Sequence, residues 1–551
     1  MIIDRSAHVS YWVPNRLDWD TDDQTNDKEI AMDSFHDLEE PQVDAAATTS
    51  PTVDDDLKAL DRLEKTLFSH RYAIDEIGSL GEVIDPADAL TERSEAIALL
   101  EEGRIQALCA PEVGEMLDRL SAATAQLDAT KAAQVKVLRR DRASLVDVPL
   151  DEQTAFSRLS VEANDVWHKA KAANDWASFE PYIDKLVAAK KRMAGAMKPG
   201  VDPYDVWLNE YEEGTCRAFY DPFFAQVKDC VVPLLADCMA SRHKPNHQAL
   251  DGHFDEARQW ELSNDLMELE GVNPKRLWVG KTEHPFTGGP GIGFVLIASH
   301  VYSENVLSNV FSMLHEGGHT LYEQGVDMSY AMTSLKGGTS MGMHEAQSRF
   351  FENIVGRSEA FARPLLETMQ KRFPGKLGNV TPRQLYLAEN CAEPCLIRCD
   401  ADELTYPLHI LVRYEIEQLL FSGEATAKDV PGLWAEKYKQ YLGLDVPNDT
   451  DGALQDTHWS SGDFGYFPTY ALGSAFGAQF KAAMIAQGMD FDAVCASGDL
   501  APIRQWLGQN IWRHGRAKDS DELILASCGE HFSPTYYTDY LTEKFTRIYQ
   551  L

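Results

Sequence analysis

Two histidines four residues apart with a glutamate between them, His315-Glu316-Gly317-Gly318-His319, are the residues of this chain best suited to chemistry. On an α-helix, residues i and i+4 project from nearly the same face, so the two imidazoles can present nitrogens to one small cation. Glu316 is rotated about 100° from His315, an offset that suits a base acting on a metal's water better than a ligand of the metal itself. The run therefore reads as a zinc site. Its two glycines oppose a helix, each costing about 1 kcal/mol relative to alanine, and are tolerable where another backbone or a substrate must come close. Apolar residues at 306, 307, 310, 311, 313 and 314 precede the motif with a period close to helical, which predicts a buried helix under the histidines.

A third ligand must come from elsewhere, because Tyr322 and Gly325 stand where an extended H-E-x-x-H-x-x-G-x-x-H motif would place its glycine and third histidine. Glu323, Asp327, His344, Glu345 and Glu352 lie near in sequence. Glu323 is one turn beyond His319 on the same helix, and three ligands in a row would leave a cation poorly enclosed. A second helix is the better donor, and Met343 to Val355 reads as one after a Gly- and Ser-rich turn over Ser334–Gly342. His344 and Glu345 point about 100° apart on it, so only one of them ligates. Two histidines and a carboxylate leave a fourth position for water, as a catalytic zinc requires.

Five stretches then resemble, in order, the motifs of the thermostable carboxypeptidase Taq family: His284-Pro285-Phe286, the HEGGH run, His344-Glu345-Ala346-Gln347, Ile397-Arg398-Cys399-Asp400-Ala401-Asp402, and Gly452 to Trp459 (GALQDTHW). The resemblance runs from about residue 55 to the C-terminus. It implies a mainly α, large helical metallopeptidase of the zincin type, cytoplasmic and homodimeric, that acts as a metallocarboxypeptidase on peptides with a free C-terminus. It selects Glu345 over His344 as third metal ligand and brings His284 near the site as a substrate-binding or structural residue. One family motif is broken, since Phe294-Val295-Leu296-Ile297-Ala298 stands where relatives carry D-x-R-x-T.

The chemistry expected is attack of a metal-activated water on the scissile carbonyl, with Glu316 as general base and then acid to the leaving amine. His458 and Tyr466 are the candidate donors to the oxyanion, weighed against a packing role for His458 beside Trp459 and against Tyr470, four residues past Tyr466. Arg398 is the candidate for the substrate's terminal carboxylate, because a guanidinium fork makes two parallel hydrogen bonds; the competing reading pairs it with Asp402 at i+4. Zinc is the expected cofactor, with cobalt as an alternative. An oligopeptidase cutting internally and an inactive peptide-binding relative are the competing functions.

The rest of the chain must hold these residues. It has 551 residues, 44% apolar, enough for a sizeable core. Its formal charge of −36, from 87 acidic against 51 basic residues, argues against nucleic acid or an anionic membrane as a partner. Nine scattered cysteines and the lack of a signal-like start fit a reducing cytoplasm, and no apolar run reaches the 18 or so residues of a membrane span. Cys391, Cys395 and Cys399 have the i, i+4, i+8 spacing of one helical face, for which buried free thiols are the plainer reading than a metal.

Residues 1–54 read as an acidic, weakly ordered leader, 55–270 as a helical lobe and 271–551 as a catalytic lobe. Strand signal collects at Arg276–Gly280 and Gly293–Ala298, separated by a turn-rich Thr287–Gly291. A small sheet beside the metal helix, whose edge could align a peptide, and a deep substrate cleft complete the expected architecture. Ser460–Phe467 reads as an aromatic loop, and the tail from Phe532 as packed on the body.

Overall fold

The computed structural model describes residues 51–83, 90–282 and 286–551, with side chains placed outside 80–91. The expected leader, save its last four residues, and His284 lie outside the described residues. Residues 51–551 form one compact unit, mostly helical. Buried apolar side chains fall into a large cluster drawn from Ala163 to Tyr549 and a small one of Leu60, Leu63, Leu67, Leu108, Met116, Leu117, Leu120, Val135 and Leu138. The tail is a helix over Thr535–Tyr549 that buries Leu541, Phe545 and Ile548, so the C-terminus packs on the body.

The HEGGH motif sits on the helix Val306–Gly325, called here the motif helix. Asn305 caps its start by accepting from the Ser308 N–H. Against it lies the facing helix Met341–Arg349, capped by Ser340, whose hydroxyl accepts from the Met343 N–H at 3.0 Å. The buried Glu212 carboxylate adds a second cap, accepting from the Gly342 N–H at 3.1 Å. The facing helix then widens into a π-helical stretch, Phe350–Gly356, which carries Glu352. On its far side packs the apolar helix Pro468–Ala486.

Glycines set how closely these three helices approach. A Cβ on Gly318 would lie 2.5 Å from the Gln347 carbonyl oxygen of the facing helix, and one on Gly473 would lie 2.6 Å from the Glu345 Cβ. A Cβ on Gly317 would overlap the buried Glu270 carboxylate. The helical cost of the two motif glycines is thus offset by close packing.

Three strands sit beside the motif helix: β1 (Leu277–Lys281), β2 (Phe286–Gly291) and β3 (Phe294–Ser299), in the order β1-β3-β2. β3 runs parallel to β1, with Leu277 opposite Val295, and antiparallel to β2, with Thr287 opposite Ile297. The stretch expected to be a turn, Thr287–Gly291, is therefore an edge strand. Its Gly-Gly-Pro-Gly is compatible with pairing only through a register shift between Gly288 and Gly291, and Gly289 has φ +135° where a Cβ would sit 2.5 Å from the Phe294 carbonyl. The helix Val53–Val83 lies along this strand, with Tyr72 against Gly291, so the edge is partly covered. As the central strand, β3 buries Val295 through Ser299, which accounts for its unbroken apolar run.

The i, i+4, i+8 thiols do not share a helix. Residues 391–397 have no regular structure and Arg398–Asp400 is a single 3₁₀ turn, because the preceding helix ends at Ala388 and Pro394 prevents its continuation.

Candidate metal centre

Nε2 of His315 and Nε2 of His319 stand 3.8 and 3.7 Å from the same oxygen, Oε2 of Glu345. The three residues are drawn together with ligand atoms within 4.8 Å of one another. Every other polar atom of the three is engaged. His315 Nδ1 faces Glu352 Oε2 at 2.9 Å, His319 Nδ1 faces His344 Nδ1 at 2.8 Å, and Glu345 Oε1 accepts from Arg349 Nε at 2.7 Å. Partners on the far nitrogens fix the tautomer and aim the near ones, which is how metal-binding imidazoles are held. The donor set of two imidazoles and a carboxylate fits a divalent transition metal with an open position.

His344, the other candidate for third ligand, is turned toward the back of the site. Its Nε2 lies 2.8 Å from Glu323 Oε1, giving a chain from His319 through His344 to Glu323. Glu352 accepts from Arg349 Nη1 at 3.1 Å as well as facing His315. Burial acts to raise its pKa, but Arg349, His315 and Arg357 outweigh that and hold it down at about 2.

Glu316 is buried at the same point, and Oγ1 of Thr287 on β2 donates to its Oε2 at 2.5 Å. Burial raises the Glu316 pKa, which His315 and Thr287 partly oppose. Thr287, Arg349 and the partnership of Glu352 with His315 escaped the reading of the sequence. Arg349 and Glu352 stand at i+4 and i+7 from Glu345, so helical period could have found them, whereas Thr287 lay in a stretch read as a turn.

The centre opens into a cleft of about 390 Å³. His315 and Glu316 line it together with Arg349, Arg357, Arg398 and Tyr406. Arg398 does not pair with Asp402, whose carboxylate instead accepts from the Leu404 and Thr405 amides of its own turn. Its partner is Asp456 of the GALQDTHW stretch: Nε and Nη2 of Arg398 donate to Asp456 Oδ1 at 3.0 and 2.9 Å, and Nη1 donates to Tyr406 Oη at 3.2 Å. The Nε/Nη2 edge of the fork is therefore occupied. Asp456 Oδ2 also accepts from the fully buried Arg413 Nε at 2.7 Å.

His458, Tyr466 and Tyr470 form a group of their own. His458 Nε2 lies 3.1 Å from Tyr470 Oη, and its ring stacks on Tyr466 at 5.5 Å and 27°. Burial, with the Arg398 charge, holds the His458 pKa down at about 3, so its imidazole is neutral. Burial pushes the Tyr466 phenol up to about 12, and the charge of Glu345 reaches it. The stretch His458–Phe467 that bears His458 and Tyr466 is anchored by Glu417, which accepts from Trp459 Nε1 at 2.7 Å and the Gly465 N–H at 2.8 Å, while Tyr470 lies on the helix Pro468–Ala486.

A mainly helical body, a small flanking sheet and two facing helices that converge imidazoles and a carboxylate on a cleft define a metallopeptidase. Comparison with known proteins narrows the class. Residues 80–545 match the model of the family described as carboxypeptidase Taq (M32) metallopeptidase. The chain is 34% identical over 466 residues to carboxypeptidase 1 of Bacillus subtilis, covering 85% of this chain and 93% of that one. It is 32% identical over 467 residues to thermostable carboxypeptidase 1 of Pyrococcus furiosus, covering 84% and 93%. The crystal structure of the M32 carboxypeptidase from Deinococcus radiodurans superposes with a TM-score of 0.87 at 32% identity, covering 90% of this chain and all of that one. The chain belongs to the carboxypeptidase Taq (M32) family and is a metal-dependent carboxypeptidase.

Proposed function

We propose that the chain removes C-terminal amino acids from peptides at a zinc ion held by His315, His319 and Glu345, with cobalt as the alternative metal. The observation that carries this reading is the convergence of both Nε2 atoms on Glu345 Oε2, with the outward nitrogens tied to Glu352 and His344. When bound, the metal supplies an acidified water and polarises the scissile carbonyl. Glu316 takes the water's proton and returns it to the leaving amine. Thr287 occupies Oε2 and orients the carboxylate, leaving Oε1 for the proton. Tyr466, stacked on His458, donates to the developing oxyanion, and His458 fixes the neighbouring phenol of Tyr470.

Arg398 recognises the terminal carboxylate by its charge and by the one hydrogen left on each of Nη1 and Nη2, since Asp456 holds the Nε/Nη2 edge and Tyr406 takes one Nη1 hydrogen. His284, two residues before β2, is assigned a supporting role at the substrate on family resemblance alone. A cytoplasmic setting accords with nine unpaired thiols, and a homodimer is proposed from the family resemblance.

The test is a pair of variants assayed for bound metal and for release of single residues from an N-terminally blocked peptide. Glu316→Gln is expected to keep its metal and lose nearly all turnover, and loss of metal would move Glu316 into the ligand set. Glu345→Ala is expected to lose the metal; if it is retained, the third ligand is His344 or Glu323.

A further inference from the structure

Away from the cleft, three side chains of metal-binding type meet at the surface. His247 Nε2 lies 3.3 Å from Glu393 Oε2, and Cys391 completes a group whose ligand atoms all fall within 4.8 Å of one another. We propose that His247, Cys391 and Glu393 form a second metal site, separate from the catalytic one, that takes a borderline-soft divalent cation such as zinc or cobalt.

The donors argue for this class of ion. One imidazole nitrogen, one sulfur and one carboxylate oxygen are the ligand types of zinc and cobalt, whereas calcium and magnesium select oxygen alone. With Cys391 as thiolate, the set carries two negative charges and neutralises a divalent ion. Three protein ligands leave a further position for water, as His247 and Glu393 are exposed to solvent while Cys391 is buried beneath them.

The backbone holds the ligands in place without the ion. Cys391 and Glu393 are two residues apart in a segment without regular structure, with their ligand atoms within 4.8 Å of each other and of His247. That segment is pinned at both following residues: the Ala392 N–H donates to Tyr549 Oη at 2.7 Å, and the Glu393 N–H donates to Asp402 Oδ2 at 3.0 Å. On the other side, His247 opens the 3₁₀ turn Gln248–Leu250, anchored by the buried Leu250. Binding releases the Cys391 thiol proton to solvent as the sulfur ligates the metal as thiolate.

Cobalt(II) titration of the full-length protein tests the proposal, because sulfur ligation gives a near-ultraviolet charge-transfer band that the two-histidine, one-carboxylate catalytic set cannot produce. The expected result is a thiolate-to-cobalt band that saturates by two equivalents, one of them taken by the catalytic set, and is abolished in Cys391→Ser. In His247→Ala and Glu393→Gln, both at exposed positions that spare the fold, cobalt affinity read from the band is expected to fall about tenfold or more. Absence of the band in the wild-type protein with cobalt in excess would overturn the proposal. So would a band of unchanged affinity in both exposed variants, which would place the sulfur ligand elsewhere.

Discussion

Two guanidiniums, Arg398 and Arg413, close on the single carboxylate of Asp456, and Tyr406 adds a neutral hydroxyl to Arg398. Two cations against one anion leave a surplus positive charge where Arg398 meets the cleft, which is what a substrate carboxylate needs to offset its lost water. Arg398→Ala is therefore expected to lower the preference for a free over an amidated C-terminus by about 1.5–3 kcal/mol, the worth of a charged hydrogen bond. The measurement is the ratio of kcat/KM for a blocked peptide and its amide. An unchanged ratio would pass the role to Arg349 and Arg357, which line the same cleft. Asp456 makes the complementary prediction. Asp456→Asn leaves two buried guanidiniums without a counter-charge and is expected to destabilise the fold by about 3–5 kcal/mol in denaturant unfolding. A cost under about 1 kcal/mol, the range of exposed ion pairs, would mean that solvent reaches the pair.

At the scale of elements, Glu345 is aimed by being clamped. The facing helix lies between the motif helix at Gly318 and the helix Pro468–Ala486 at Gly473, and neither approach admits a methyl group. Gly473→Ala is expected to push Glu345 away from the histidines, lowering metal affinity about tenfold or more and costing about 1–3 kcal/mol of stability through overpacking. Gly432→Ala is the matched contrast. Gly432 lies inside the helix Val430–Leu442 with nothing within 4 Å of the added Cβ, so that change is expected to stabilise by up to about 1 kcal/mol. Chelator competition and thermal melting read both, and a Gly473→Ala variant with unchanged metal affinity would show that the clamp does not set the ligand's position. The motif glycines announced a close approach in the sequence, yet nothing there named Gln347 or Gly473 as the partners. Helical period and five ordered motifs made the two site helices legible because those signals are local. β2 was not legible because its Gly-Gly-Pro-Gly run carries turn signals although it pairs with the adjacent β3 through a register shift, and the pairing of Arg398 with Asp456 was not legible because it joins positions distant in the chain.

Over the whole molecule, a formal charge of −36 sets acidic groups against one another, and some of them are buried. Glu389 is one such case, with Glu270: it is buried, neither carboxylate oxygen has a hydrogen-bond partner within the protein, and burial pushes its pKa from 4.5 up to about 8 despite Arg357 and Lys544 nearby. Between those two values the folded chain binds more protons at this position than the unfolded one, so the slope of stability against pH is negative. The contribution is fully present below about pH 4.5 and is lost as pH rises through about 8. Glu352 and Asp456 have the opposite sign. Their folded pKa values are depressed, so what they contribute is present above the ordinary carboxylate range and is lost only as pH falls well below it. The melting temperature is accordingly expected to peak in mildly acidic buffer, near pH 5, and to fall toward pH 8.5, with the decline amounting to a few kcal/mol on the order set by one such group. Glu389→Gln keeps the shape and removes one titration, so it should lessen that decline while leaving the acid limb in place, the remainder coming from the buried Glu212, Glu270 and Glu417, whose pKa values burial also raises. Added salt should raise the melting temperature throughout by screening the surface charge, without restoring the slope. An equal decline between about pH 5.5 and pH 8.5 in the unmodified chain and in Glu389→Gln would mean that Glu389 stays ionised beside Arg357 and Lys544, and that this buried carboxylate is matched rather than protonated.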